Sequence, residues 1–218
     1  MRGSGFLAIW SDVEPADLVD YRHWLTREHT TERVTTEGFL ACRVFAATQT
    51  GINRFFILYE LSTPEVLDGP AYLARLNAPT PWSQAIMPRL RNFIRGGGSV
   101  TVRAGRGEGA TLAAVRLAQP LADAEGFAAA IVACDGVAAV QVGVTDPART
   151  SVPTKEKGMR SGDASFAGLL MIEALDEASL RNAWRRVGDV APDIACSADD
   201  PEIYRGIFAL DARIADFG

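Results

Sequence analysis

The sequence predicts an α+β fold in which one split β-α-β unit is used twice and its two sheets pack into a barrel. Three observations carry that reading. The order strand, helix, strand, strand, helix, strand is traced once in residues 1–104 and again in residues 105–218. Short matches fall at equivalent places in the two halves: Glu37-Gly38-Phe39 with Asp135-Gly136-Val137, and the run Phe55 to Leu61 with the run Gly168 to Ala174. A four-stranded antiparallel sheet with helices on one side leaves its other face bare and apolar, and 48% hydrophobic residues among 218 supply the material to bury two such faces against each other.

In the first half, Phe6 to Trp10 is a short apolar strand. Asp17 to His29 follows as an amphipathic helix, because Leu18, Tyr21 and Leu25 recur at three and four residues and the next step reaches His29, which closes the stripe. Pro15 near the first turn, with Asp17 and Asp20 near the positive end, marks its start. A polar stretch from Arg33 to Thr36 separates it from the next strand, Gly38 to Phe45. There Phe39, Ala41, Arg43 and Phe45 share one face, and Leu40, Cys42 and Val44 the other. Thr50 to Asn53 is a turn, Arg54 to Leu61 a strand, and Thr63-Pro64-Glu65 a helix start capped by Thr63. That helix is perturbed by Gly69 and Pro70, resumes from Ala71 to Leu76, and gives way to an extended path through the prolines of Asn77 to Trp82. Phe93 to Val102 is a strand interrupted at Gly96-Gly97-Gly98, which reads as a bulge, a bend or a mobile loop. It is not a phosphate-binding loop, since no lysine with serine or threonine follows.

Ala104 to Gly109 alternates glycine with charge and is the boundary between the halves. Beyond it come a strand from Thr111 to Ala118, an alanine-rich helix from Pro120 to Ala133 and a strand from Gly136 to Val144. The polar loop from Thr145 to Asp163 reads as a lid or as a hairpin insertion. Phe166 to Leu175 is strand, Glu177 to Val187 helix, and Ile203 to Asp211 the last strand.

Charge and composition exclude several functions. A net charge of -5 gives no general attraction to nucleic acid, and no apolar run is long enough for a membrane helix. Trp10 and Asp12 come too early for a signal peptide. Cys42, Cys134 and Cys196 are widely spaced and odd in number, which predicts a reducing, cytoplasmic setting and no metal site of cysteine type. Two histidines without a third leave metal binding weakly supported; composition permits haem ligation by His29, but no haem-attachment signature and no compact oxygen-ligand spacing is present, and Asp189, Asp193, Asp199 and Asp200 read as a solvent-facing acidic zone. Neither Cys134 nor Ser161 has a local histidine to form a nucleophilic triad. The expected cofactors and metals are therefore none, and the expected partner is a small molecule, with a homodimer through the helices left open.

The candidate chemistry centres on His29. An imidazole that titrates near pH ~6.5 gives or takes a proton at neutral pH, as enolisation, cyclisation or lactone isomerisation requires. Its structural alternative is a cap at the carbonyl end of the helix. Arg43, a cation among phenylalanines, either lines a cavity and stabilises developing negative charge or faces solvent and does nothing. Tyr59 offers one hydrogen bond, and Trp24 or Trp82 covers an aromatic ring. Phe45 and Asn53 are placed beside these as substrate contacts, with core packing and the shaping of a hairpin mouth as their alternatives. Glu28 is adjacent to His29 in sequence and so points away from it on a helix. His23 lies off the apolar stripe and is expected to be exposed or at a second interface.

Read together, Asp20-Tyr21-Arg22-His23-Trp24, Glu28-His29, Arg33, Gly38-Phe39, Tyr59-Glu60 and the segment Asn77 to Trp82 resemble the EthD-like branch of the dimeric α/β-barrel superfamily, over the first half of the chain. The resemblance implies tandem ferredoxin-like repeats forming a dimeric-type barrel within one chain, with a cavity between sheet and helices for a small, mostly apolar ligand. Activities in that superfamily include cofactor-independent monooxygenases on polyketide quinols, aromatic polyketide cyclases and muconolactone isomerase, with haem-dependent chlorite dismutases and dye-decolourising peroxidases further away. The second half departs from the pattern: Phe127, Ala128 and Ile131 stand in its first helix, and no histidine, tryptophan or tyrosine does. One competent cavity in residues 1–104 is expected, with residues 105–218 closing the barrel.

The expected function is a cofactor-independent isomerase or cyclase acting on a small aromatic or unsaturated carbonyl compound, with His29 as acid/base and Arg43 as anion stabiliser. A non-catalytic small-molecule binding protein is the alternative from a different class. A cofactor-independent monooxygenase is the third, favoured by a dry, aromatic-lined and deep cavity.

Overall fold

The computed structural model describes residues 1–160, 164–195 and 201–215, so Ser161, Cys196, Asp199 and Asp200 lie outside the described residues. The first half comprises β1 (Gly5–Asp12), α1 (Leu18–Trp24), a π-helical turn (Leu25–His29), α2 (Thr30–Val34), β2 (Phe39–Ala47), β3 (Arg54–Leu61), α3 (Pro70–Asn77), α4 (Pro81–Ile86) and β4 (Arg91–Gly105). The second comprises β5 (Thr111–Leu117), α5 (Ala124–Val132), β6 (Val137–Thr145), α6 (Pro147–Thr150), α7 (Lys155–Gly158), β7 (Gly168–Ala174), α8 (Glu177–Val190), α9 (Pro192–Ala195), β8 (Ile203–Asp211) and α10 (Ala212–Ala215).

The eight strands close into one antiparallel barrel in the order β1-β3-β2-β8-β5-β7-β6-β4. The first half contributes β4-β1-β3-β2 and the second β8-β5-β7-β6, and the halves meet through the hydrogen-bonded pairs β2 with β8 and β4 with β6. Closure comes from edge pairing, which removes the free edges of both sheets, and not from two separate sheets stacked face to face. Gly38 and Gly136, the glycines of the two matching turns, both adopt positive φ (88° and 76°), a conformation a side chain would strain.

Strand alternation divides the core into three. Phe6, Trp10, Phe45, Phe56, Leu58, Leu112, Leu169, Met171 and Tyr204 point inward and fill the barrel. On the outside of the first half, Leu7, Ile9, Ile57 and Tyr59 meet Tyr21, Trp24 and Leu25 of the first helix and Tyr72 and Leu76 of α3. On the outside of the second, Val140, Val142, Leu170 and Ile172 meet Phe127, Ile131, Leu180, Trp184 and Val187.

Four local expectations are corrected. The first helix does not end at His29: it passes through the π turn and runs on to Val34, so the polar Arg33 is helical and buried. Phe39 leaves the Arg43 face, because a bulge between Phe39 and Ala41 turns its ring onto the helix side, against Tyr59 and Tyr72. Gly96, Gly97 and Gly98 lie in the unbroken run of β4. They are required by close approach, since a Cβ at Gly98 would sit 2.1 Å from the Val144 carbonyl and one at Gly96 2.6 Å from the Phe166 ring. The stretch that follows β6 is not a plain hairpin insertion. It carries α6 and α7 back over the first half, where Arg149 pairs with Asp68 at 2.7 Å and Glu65 at 3.0 Å and the Lys155 amide donates to Asn77 Oδ1 at 3.1 Å. Among the described residues no helix is long and apolar enough to cross a membrane.

Candidate functional site

The site lies between the first helix layer and the outer face of β1 and β3. Pairing of Ile9 with Ile57 and of Ser11 with Phe55 puts Ser11, Ile9, Ile57 and Tyr59 on that face. Above them the helix presents Tyr21, Trp24, His29 and Arg33. Residues five apart do not share a face of a regular α-helix, yet Trp24 and His29 stack with ring centroids 4.2 Å apart and planes 29° from parallel. The π turn accounts for this: the Thr30 amide reaches back to the Leu25 carbonyl, five residues away, and the widened turn aligns the two rings. The Trp24 indole is itself held by Ser83, its Nε1 donating to Oγ at 3.1 Å.

A cavity of about 20 Å³ remains between these elements, lined also by Tyr72, Met87, Leu90, Phe93 and Arg95 from the first half and by Glu156 and Arg160 from the second. Four polar atoms of lining residues, His29 Nδ1, Tyr21 Oη, Tyr59 Oη and Arg33 Nη1, are buried without a hydrogen-bond partner, the last standing 3.4 Å from the Glu32 carboxylate. A buried neutral polar group left in that state costs about 1–3 kcal/mol, so the imidazole and two phenols around one cavity point to a polar ligand. Ser11 and Cys42 are the polar neighbours of the Tyr21 and Tyr59 hydroxyls, respectively, without meeting hydrogen-bond geometry.

Burial, with the Arg33 and Arg160 charges added, holds the His29 pKa well below the ordinary imidazole value, so the ring is neutral at physiological pH, with a free lone pair, and is a weaker base than an exposed imidazole. Burial also pushes both tyrosine hydroxyls up, which keeps them neutral donors. Arg33, 2% exposed, loses hydration but more than recovers its charge through Glu156, whose carboxylate accepts from Nη2. Arg95 is 7% exposed, and among the described residues its guanidinium is bonded only to neutral oxygens, the Thr150 carbonyl at 3.2 Å and the Tyr72 hydroxyl at 3.3 Å. The cavity thus combines a neutral proton acceptor, two phenol donors, aromatic walls and cations.

Of the residues singled out from sequence, His29, Tyr59 and Trp24 line this cavity. Arg43 does not join them. It pairs in register with Leu58, whose side chain points into the barrel, so it stands on the opposite side of the sheet from Tyr59. There it forms a bidentate pair with Glu173, Nη1 to Oε1 at 3.0 Å and Nη2 to Oε2 at 2.7 Å, with Gln141 and the Gly109 amide completing the carboxylate's shell at 3.0 Å each. Phe45 lies on that same inner side, its ring 4.9 Å from the Arg43 guanidinium. Trp82 is half-buried on the outer surface, donating to Asp20 at 3.0 Å, and Asn53 sits in the turn before β3, its carbonyl accepting from the Val13 amide. None of these three lines the cavity. Glu28 accepts from the Thr80 hydroxyl at 2.6 Å and does not orient His29; His23 is exposed.

Sequence reasoning did not single out Tyr72, Arg95 or Glu156, and it used Arg33 in the family resemblance without giving it a role at the site. Arg33 follows His29 by four residues and Arg95 follows Phe93 by two, so carrying each period one step further would have found both. Glu156 had no such signal, as it reaches Arg33 across 123 residues of chain.

No protein-family model matches the sequence, and no curated protein matches it. Among solved structures, that of an anthrone oxidase-like protein superposes with a TM-score of 0.62 at 12% identity, over 97% of this chain and 94% of the other. A provisionally assigned monooxygenase of Fusobacterium nucleatum subsp. nucleatum gives 0.56 at 12% identity, over 97% and 96%. The fold is that of the dimeric α/β barrels. At such identity the likeness carries the fold and leaves the chemistry to the residues of the cavity.

Proposed function

We propose that the protein is an enzyme that removes a proton from a small aromatic or unsaturated carbonyl compound without a resident cofactor, with His29 as the acceptor. The observation that carries this is a buried, neutral imidazole with an unpartnered Nδ1, fixed by stacking on Trp24 in an aromatic cavity. The proton leaves a carbon next to the carbonyl for His29, and the resulting enolate oxygen takes hydrogen bonds from Tyr59 or Tyr21 and the field of Arg33 and Arg95. Arg43, engaged with Glu173 inside the barrel, is not part of this step.

Two fates of the carbanion divide the reaction types. Return of the proton to another carbon, or attack on a second carbonyl, gives an isomerase or cyclase. Transfer of its electrons to dioxygen converts a CH2 group and O2 into a carbonyl and one water. The enclosed, aromatic-lined cavity supports the oxygenase outcome, because a carbanion kept from bulk water survives to meet dioxygen. The names of the two neighbours above accord with it. The repeated strand order and the paired glycine turns support reading residues 1–104 and 105–218 as tandem ferredoxin-like repeats, with the catalytic cavity in the first. The EthD-like assignment rests on the sequence resemblance.

The experiment is dioxygen uptake with anthrone as probe. One O2 consumed per carbonyl formed, with a rate at least ~100-fold lower in His29→Gln, is the expected result. Uptake unchanged in that variant would remove His29 from the mechanism. Binding of the probe with neither uptake nor rearrangement would leave a small-molecule binding protein.

A further inference from the structure

The cavity holds more positive charge than its own carboxylates explain. Arg33 and Arg95 both line it and both are buried, yet Glu156 is the single carboxylate among the described lining residues. Arg95 has no carboxylate partner among the described residues, although a buried guanidinium is stable only when paired or fully hydrogen-bonded. Glu156 itself comes from the other half of the chain, on the four-residue α7, and places its carboxylate on Arg33 Nη2 and 4.0 Å from Arg160. Its exposure is 6%.

In this closed arrangement the cavity of about 20 Å³ has room for about one water molecule and none for an aromatic ring. Entry of a ring therefore requires α7 to shift. That shift withdraws Glu156 and leaves facing the vacated space Arg95, which has no carboxylate partner among the described residues, and Arg33, which keeps only Glu32 at 3.4 Å from its Nη1. The polar ties that hold this segment to the first half are the Arg33 pair, the Lys155 amide to Asn77 and the Arg149 pairs with Asp68 and Glu65, beside which Met159 packs on the first core cluster and Arg160 lies 3.9 Å from the Phe93 ring.

We infer that Glu156 occupies the position of a ligand carboxylate, and that the ligand of this cavity is an aromatic carboxylate which takes the place of Glu156 on Arg33 and gains the charge of Arg95 on the same cavity wall. The inference rests on the cavity being the substrate site. A planar guanidinium accepts a carboxylate from either source with the same fork geometry, so exchange costs little, and the aromatic body takes the space between Trp24 and Phe93. A Glu156 that served only to fasten α7 would be lost without any gain in anion affinity.

The test uses 2-naphthoate and its neutral isostere 2-naphthamide, titrated by calorimetry into the full chain. The wild type is expected to bind the carboxylate about tenfold more tightly than the amide. In Glu156→Gln the carboxylate gains about a further tenfold while the amide is unchanged, and the Tm lost with the ion pair is restored by naphthoate alone. Glu156→Asp, which keeps the charge but shortens the reach to Arg33, gives a smaller gain. Arg95→Gln weakens the preference for carboxylate over amide in either background, the remainder resting on Arg33. Equal binding of the two probes, no binding of either, or a preference unmoved by Glu156 and Arg95 substitutions would overturn the inference. Deuterium exchange into a neutral ketone scores the His29 reading separately. Exchange without carboxylate preference removes this inference alone, and preference without exchange removes the catalytic reading alone.

Discussion

Trp24 and His29 are stacked five residues apart in one helix, and the π turn between them makes that contact possible. The stack fixes the imidazole plane, and the Trp24 hydrogen bond to Ser83 fixes the indole. Trp24→Ala removes both and opens a cavity in the first core cluster, which is expected to cost about 3–5 kcal/mol in urea unfolding. Trp24→Phe keeps a ring under His29 and loses the hydrogen bond, at a cost of about 1 kcal/mol, with proton abstraction retained.

The depressed His29 pKa makes stability depend on pH in a defined direction. Above pH ~6.5 the ring is neutral in both folded and unfolded chains, and its contribution is complete. As pH falls below that value the unfolded chain binds a proton that the folded chain refuses, so stability declines by up to ~1.4 kcal/mol per pH unit. His29→Gln should remove this component. Urea midpoints for both proteins between pH ~5 and ~8 measure the difference, and parallel pH curves would show that the imidazole is not held neutral by the fold.

Arg43 and Glu173 form a pair that holds the two halves together inside the barrel, so its loss should appear as instability and not as a chemical defect. Replacing Arg43 by Leu leaves the fully buried Glu173 carboxylate without its cation and is expected to cost about 3–5 kcal/mol. Replacing both by Leu should recover much of that loss. Under conditions where the chain is folded, Arg43→Leu keeps the wild-type rate of proton abstraction. A rate loss as large as that of His29→Gln would return Arg43 to the mechanism.

Gly98 carries a packing prediction. A methyl group there meets the Val144 carbonyl of the neighbouring strand, a backbone atom that cannot rotate away. Gly98→Ala should destabilise the barrel by about 3 kcal/mol, and an unchanged Tm would show that β4 and β6 lie further apart than described.

The strand and helix order was legible because each period is local. Leu18, Tyr21 and Leu25 declare a helix, and Arg54 to Leu61 declares a strand, without reference to any other part of the chain. The inclusion of His29 followed from the same period, and that of Tyr59 and Trp24 from side-chain chemistry. What escaped was set by pairing and not by period. The bulge that turns Phe39 away from Arg43 is a matter of register with β3, and the side of the sheet that Arg43 occupies depends on which face the helices cover. Glycines that read as a break in β4 are demanded by the neighbours Val144, Phe6 and Phe166, which sequence alone does not place. Glu156 lies in the second half and enters a cavity built by the first, so no local pattern announces it.

The measurement that bears most directly on His29 is anaerobic deuterium uptake from D2O into the acidic carbon of an anthrone probe, followed for the wild type, His29→Gln and Arg43→Leu. Without dioxygen the carbanion can only be reprotonated, so exchange reports proton abstraction alone. Exchange is expected in the wild type and in Arg43→Leu, with a loss of at least ~100-fold in His29→Gln. Exchange that survives in His29→Gln but disappears in Arg43→Leu would contradict the role of His29.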